Sequence, residues 1–167
     1  MSFRSLSVVP FSFLVLSSFP NRCLAPQTGR EPSASERDAL ARERLHKRLG
    51  VWQNRLELSD WKISLITVHR GELSPGTLGN VRWNLDEKTA RVKVLNANDY
   101  ELPFEAAFSD MEFTLVHELI HLELASLPRT DESRVDEEGA VNRMADALLQ
   151  LDHRESAKAN VTAFLAR

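Results

Sequence analysis

The chain has 167 residues, a mass of 18.9 kDa and a formal net charge of −3. This length suits one globular domain with a single core. With 43% apolar and 27% charged residues, the composition excludes a wholly disordered chain and a multi-span membrane protein. The pI near 6.0 disfavours a protein that binds nucleic acid through a global positive field. The single cysteine, Cys23, excludes an intrachain disulfide framework and a multi-cysteine zinc ribbon.

Residues 1–34 differ in composition from the rest of the chain, because serine and proline are frequent there. Arg4 precedes an apolar run at residues 8–16, which has the outline of a signal peptide and is too short to span a membrane. Pro10 interrupts the run, so a disordered extension, or a start assigned too far upstream, is the alternative. We expect a cytoplasmic protein with no stable membrane span, or a secreted one if residues 1–25 are a signal peptide.

The first predicted element is an amphipathic helix over residues 35–50, in which leucines recur at helical spacing. Ser33 and Ser35 are its candidate N-caps. A second helical piece is expected to reach Leu58 after Gly50.

Alternation of apolar and polar residues, blurred at Ile66 and Val68, predicts a strand over residues 61–68. Serine, proline and glycine mark residues 72–80 as a loop. Two further alternating runs, 81–85 and 91–95, predict a hairpin. The three tryptophans are expected in the core: Trp52, Trp61 and Trp83.

After an irregular stretch at residues 96–108, the Ser-x-x-Glu pattern at Ser109 predicts the start of a helix, which Pro128 ends. Apolar residues surround nearly its whole circumference, so we expect it to be buried. Acidic residues at 131–138 lead into a last long helix, and residues 153–167 form a weak helical tail.

The sequence therefore predicts a single α+β domain over residues 35–152. In it, a small, mainly antiparallel sheet of about three strands packs on the buried helix, and helices flank both.

The buried helix carries the pattern His-Glu-x-x-His at residues 117–121. Histidines four residues apart project from one helical face, where they can bind one Zn²⁺, and Glu118 lies close enough to act as general base. Zinc lowers the pKa of a bound water toward 7, and peptide-bond hydrolysis is the reaction that this geometry serves best. Core histidines without a metal are the alternative, but burying these polar groups unpartnered in an apolar helix is costly.

A catalytic zinc usually takes three protein ligands, so His117 and His121 require a third. Leu124 and Leu127 stand where the extended pattern HExxHxxGxxH needs Gly and His, which excludes the class with three histidines. The remaining candidates are acidic residues of the next helix: Asp131, Glu132, Asp136, Glu137 and Glu138. Glu138 shares the face of the apolar residues Val141, Ala145 and Leu148 and is preferred; Glu137 is the alternative, because helical phase does not separate neighbours.

With Glu138-Gly139-Ala140-Val141-Asn142 following His117–His121, the sequence resembles the small zinc-dependent gluzincins, including uncharacterised bacterial and phage metallopeptidases. The resemblance spans about residues 35–150 and implies a minimal zincin-like fold, one catalytic zinc and a peptide or protein substrate. Larger gluzincins carry Asp where this chain has Asn142, a position whose side chain steadies the first histidine.

Two rival functions share this site: a SprT-like protease that acts on DNA-bound proteins, and a catalytically silent zinc-binding interaction domain. The lack of a zinc ribbon and of a basic patch weakens the first, and Glu118 argues against the second, because a structural zinc site needs no carboxylate beside the metal. Tyr100 and His69 are weaker candidates for stabilising an oxyanion. The resemblance also implies that residues 81–85 or 91–95 form a sheet edge to which an extended peptide adds as a strand.

Overall fold

The computed structural model describes residues 30–128 and 130–165. The predicted signal segment or extension, apart from its last residues, lies outside the described residues. The described residues form three α-helices and three strands, in chain order α1 (Ala34–Arg55), β1 (Lys62–Val68), β2 (Gly79–Asn84), β3 (Thr89–Leu95), α2 (Phe104–Glu123) and α3 (Asp131–Leu165). Three short 3-10 turns connect them, at Arg70–Glu72, Ala97–Asp99 and Leu124–Ser126. The α+β class is confirmed.

Helix α1 begins with a capping box at Ser33, whose hydroxyl accepts from the backbone N–H of Glu36 while the Glu36 carboxylate accepts from the N–H of Ser33. The predicted break after Gly50 is wrong, because the helix continues without interruption to Arg55. Gly50 costs an exposed helix only about 1 kcal/mol relative to Ala. Burial of Leu49 and Trp52 on either side of it outweighs that cost.

The three strands form one sheet in the order β1-β3-β2. The predicted hairpin is confirmed, since β2 and β3 pair antiparallel, but β1 pairs parallel with β3. The sheet is therefore mixed, and the prediction of a mainly antiparallel sheet is wrong. The parallel pair follows from the topology, because β2 reverses the direction of β1 and β3 reverses it again before inserting between them.

The central position of β3 also corrects the prediction that residues 91–95 form a sheet edge. Val92, Val94 and Leu95 are fully buried, which suits a strand paired on both sides. Among the described residues, the edges of the sheet are β1 and β2.

Helix α2 is buried, as its apolar circumference predicts, and packs on β2 and β3 and between α1 and α3. It begins at Phe104, so the predicted start at Ser109 is wrong. Ser109 lies inside the helix, and its hydroxyl donates to the carbonyl of Glu105. The Glu31 carboxylate accepts from the N–H of Phe104 and satisfies one of the unpaired donors of the first turn.

The core lies between α2, the inner face of the sheet and the buried faces of α1 and α3. Trp52 and Trp61 are buried in it, and Trp83 is half-buried and packs against it. Helix α3 runs on without a break through residues 152–153. Within the described ranges, no helix has both the length and the apolar content that crossing a membrane requires.

An ion-pair network ties the three helices together at the side chains of Glu112 and Asp152, both buried. Arg48 of α1 contacts the Glu112 carboxylate of α2 and reaches Asp152 of α3 at 2.7 Å. Arg55 also contacts Asp152, at 3.0 Å, and the indole N–H of Trp52 donates to Glu112 at 2.8 Å. Two arginines therefore balance two buried carboxylates, which offsets the cost of taking the charges out of water.

We expect Asp152→Asn to lower the free energy of unfolding by about 3 kcal/mol, because Arg48 and Arg55 lose the carboxylate between them. Urea denaturation followed by circular dichroism measures the change. The matched control is Glu155→Gln, which removes an exposed partner of Arg55 and should change stability by less than about 1 kcal/mol. Equal effects of the two variants would contradict a special role for the buried pair.

Candidate metal centre

Two imidazoles of α2 face one another at the candidate site. His117 and His121 lie one turn apart, with their Nε2 atoms 3.0 Å from each other and their ring centroids 4.7 Å apart. Both side chains are mostly buried, with 16% and 11% of their surface exposed. The predicted projection of both rings from one helical face is what the structure shows.

Glu138 of α3 completes this group. Its carboxylate oxygens lie 3.4 Å from Nε2 of His117 and 3.2 Å from Nε2 of His121. Ligands of a tetrahedral zinc with bonds of about 2.0–2.1 Å are about 3.3 Å apart. Two imidazole nitrogens and one carboxylate at these separations therefore fit a zinc ion and leave a fourth coordination position open.

The other nitrogen of each ring is held by α3 as well. The Nδ1 atom of His117 lies 3.0 Å from Oδ1 of Asn142, and Nδ1 of His121 lies 3.0 Å from a carboxylate oxygen of Glu137. With an acceptor at Nδ1, the proton of a neutral imidazole resides on Nδ1, so Nε2 carries the lone pair that binds a cation. The two acceptors thus orient both rings toward Glu138.

Glu137 and Glu138 therefore occupy different positions at the site, a difference that helical phase alone does not predict. Glu138 reaches the Nε2 atoms of both histidines, whereas Glu137 contacts the far side of His121. Of the other acidic candidates, Asp136 is exposed and is not part of the group. The side chains of Asp131 and Glu132 lie outside the described residues.

Hydrogen bonds with both histidines hold the pKa of Glu138 well below its usual range. Burial of His121 opposes its protonation, but the hydrogen bonds and charges of Glu138 and Glu137 outweigh burial and raise the pKa of His121. The site is therefore electronegative, and its electrostatic field favours a cation.

Glu118, which directly follows His117, is 8% exposed. Burial raises the pKa of its carboxyl to about 7, against the opposing effect of His117; the negative charge of Glu138 raises it further, and a backbone hydrogen bond with Val81 lowers it. A carboxyl with a pKa near neutrality can both accept and return a proton.

Strand β2 passes directly over this carboxylate at Gly79. A Cβ atom at this position would lie 2.5 Å from Cγ2 of Thr114, 2.8 Å from the carbonyl oxygen of Lys93 and 3.2 Å from Oε1 of Glu118. Only glycine leaves room for α2 and the edge strand to approach so closely. Residues 79–80 read as loop in the sequence because glycine and asparagine are turn residues, and this hid their place in β2.

The structure does not bring the weaker candidates into this group. His69 is exposed and pairs with Asp99, with its Nδ1 3.1 Å from the carboxylate. Tyr100 packs against both the main core and a small cluster of Val68, Leu73 and Leu95. Burial raises the pKa of Tyr100 above its usual value, so its hydroxyl stays protonated.

Comparison with models of protein families, with curated proteins and with solved structures finds no match to this chain.

We expect Gly79→Ala to destabilise the protein by about 1–3 kcal/mol, because the added methyl group overlaps the backbone of Lys93 and the side chain of Thr114. Thermal unfolding measures the effect. Gly50→Ala is the matched control: nothing lies within 4 Å of a Cβ there, and the change should stabilise α1 by up to about 1 kcal/mol. Unchanged thermal stability in Gly79→Ala would show that β2 can move away from α2 freely.

Proposed function

We propose that this protein is a zinc-dependent metallopeptidase that hydrolyses peptide bonds. The observation that carries the proposal is the convergence of His117, His121 and Glu138 within hydrogen-bonding distance of one another, with the buried Glu118 beside them. Two histidines and a glutamate with an open fourth position are the ligand set of a catalytic zinc rather than of a closed structural site.

A zinc ion held by these three residues would acidify water and polarise the carbonyl of the scissile bond. Glu118 takes a proton from the attacking water and returns it to the leaving amine, so that the two halves of the substrate separate as acid and amine. Its raised pKa suits both transfers, because the carboxylate gains and loses a proton near neutral pH. Asn142 and Glu137 keep the imidazoles oriented during the reaction.

The contacts of α3 support the minimal gluzincin type among zinc peptidases. Glu138 lies where that type takes its third ligand, and Asn142 accepts from the first histidine. An amide makes this contact without a negative charge, so it raises the basicity of His117 less than a carboxylate would.

Buried Glu118 favours a peptidase over a silent zinc-binding domain. A structural metal site gains nothing from an additional carboxyl in an apolar helix, where burial is costly. A catalytic site uses that carboxyl as its general base.

Zinc content tests the ligand set. We expect about one zinc per wild-type chain by plasma mass spectrometry, and loss of zinc in His117→Ala and in Glu138→Ala. Glu137→Ala should still bind zinc, with an affinity lowered about 10–100-fold, because it removes only the partner of a ligand. Loss of zinc in Glu137→Ala together with retention in Glu138→Ala would reverse the two assignments.

Replacing the general base tests the reaction. We expect Glu118→Gln to keep zinc and to lower the rate of peptide hydrolysis at least about 100-fold, because the amide cannot accept the proton. Hydrolysis of a peptide mixture, followed by mass spectrometry, measures the loss, and Glu123→Gln on the exposed end of α2 is the control. Wild-type rates in Glu118→Gln would remove this mechanism, and a zinc-loaded wild type that cleaves nothing would leave the silent domain as the better interpretation.

A further inference from the structure

The outer face of the sheet, opposite α2, carries four cationic side chains at exposed or half-buried positions: Lys62, Arg82, Arg91 and Lys93. The inner positions of β2 and β3 pack on the helices, so alternation places Arg82, Arg91 and Lys93 on the outer face. Lys62 lies at the start of β1, away from the β2 edge, and the outer positions paired with Arg91 and Lys93 are uncharged: Ser64, Ile66 and Asn80.

Arg82 and Arg91 lie directly opposite each other in the register of β2 and β3. Like charges at facing positions destabilise a sheet. Among the described residues, no carboxylate pairs with Arg82, Arg91 or Lys93, and none of the three side chains donates a hydrogen bond. The arginines of α1 contrast with them, since the side chain of each has an acidic partner: Arg37, Arg42, Arg44, Arg48 and Arg55.

This uncompensated charge borders the sheet edge next to Glu118. The N–H of Leu95 donates to the carbonyl of Leu78 at 2.8 Å, which makes these two a hydrogen-bonded pair. By alternation, the backbone groups of Arg82 point to β3, and those of Gly79 and Val81 point outward from the sheet. At Gly79 this edge lies beside Glu118, whose Oε1 would be 3.2 Å from a Cβ atom placed there.

A peptide strand added antiparallel to β2 would therefore have a residue directly opposite Arg82, at a non-hydrogen-bonded pair. In such pairs the Cβ atoms are about 4.5–5.5 Å apart, and the two side chains share one face of the sheet. Arg91, on the other side of Arg82, reaches the same face. A carboxylate at that position of the peptide would relieve the repulsion between the two arginines.

We propose that the β2 edge selects extended peptides with an acidic side chain at the position opposite Arg82, and that Arg82 and Arg91 determine this specificity. The proposal rests on the peptidase function, because it assigns the substrate class of the same site. An acidic peptide fits better than the phosphate backbone of a nucleic acid, since the edge strand carries one cation, Arg82, backed by Arg91, and the chain as a whole is negatively charged.

Binding of labelled peptides to the zinc-loaded Glu118→Gln protein tests the proposal without hydrolysis. The probes are a short peptide of alternating Glu and Ala and its counterpart with Gln in place of Glu, followed by fluorescence anisotropy. We expect the Glu peptide to bind about five-fold or more tightly than the Gln peptide, an advantage that salt reduces. Adding Arg82→Gln and Arg91→Gln should abolish the difference, and adding Arg154→Gln on α3 should leave it unchanged.

Equal binding of the two peptides, or an acidic preference that survives loss of both arginines, would overturn the proposal. So would tighter binding of a labelled oligonucleotide than of the Glu peptide, if it depends on the same arginines. Because both substituted arginines are exposed and repel each other, their loss should not unfold the protein. Peptide hydrolysis by the wild-type protein, measured separately, distinguishes failure of the acidic specificity from failure of the peptidase function. Cleavage without an acidic preference rejects only the specificity, whereas no cleavage at all rejects the peptidase.

Discussion

The need to satisfy polar groups on a buried helix governs how this molecule is assembled. Helix α2 is apolar on nearly all sides and yet carries two imidazoles and two carboxyls into the interior. Each of these groups loses water when α2 is covered, and each requires a partner of the right charge and geometry. Every helix and the edge strand of the sheet contribute to meeting this requirement.

Helix α3 supplies most of the partners for the buried polar groups of α2. Near its start, Glu137, Glu138 and Asn142 together contact all four imidazole nitrogens of His117 and His121. About 15 Å further along the helix, counted at 1.5 Å per residue, Asp152 binds the arginines of α1. These two polar contacts lie at opposite ends of an apolar stretch that includes Val141 and Ala145. The rotation and the axial position of α3 are thereby fixed, and with them the placement of Glu138.

Local patterns predicted the parts of the site that depend on one helix. His117, Glu118 and His121 follow from spacing alone, and the helical phase of α3 placed Glu138 and Glu137 on nearly the same side. Their separate contacts depend on how α3 packs on α2, which no local pattern contains. The start of α2 was missed because Ser109 has the same sequence signature at a cap and inside a helix, where its hydroxyl bonds to the preceding turn.

Features that depend on residues far apart in the chain were harder to predict from the sequence. Net charge summarises the chain and conceals that the arginines of α1 are paired with carboxylates while Arg82 and Arg91 are not. Likewise, alternation identified three strands but not their order, because a strand paired on both sides and an edge strand can share the same apolar spacing.

The strand order has a consequence for how the chain folds. The hairpin of β2 and β3 closes over a short turn, whereas Lys62 at the start of β1 pairs with Thr89, which is 27 residues later (89 − 62). Since loop closure costs more entropy for the longer connection, the hairpin can form first and β1 can add only to its completed central strand. The strand that lies over Glu118 thus belongs to the locally formed part of the sheet, and the last pairing to form is on the side of the sheet away from the candidate site.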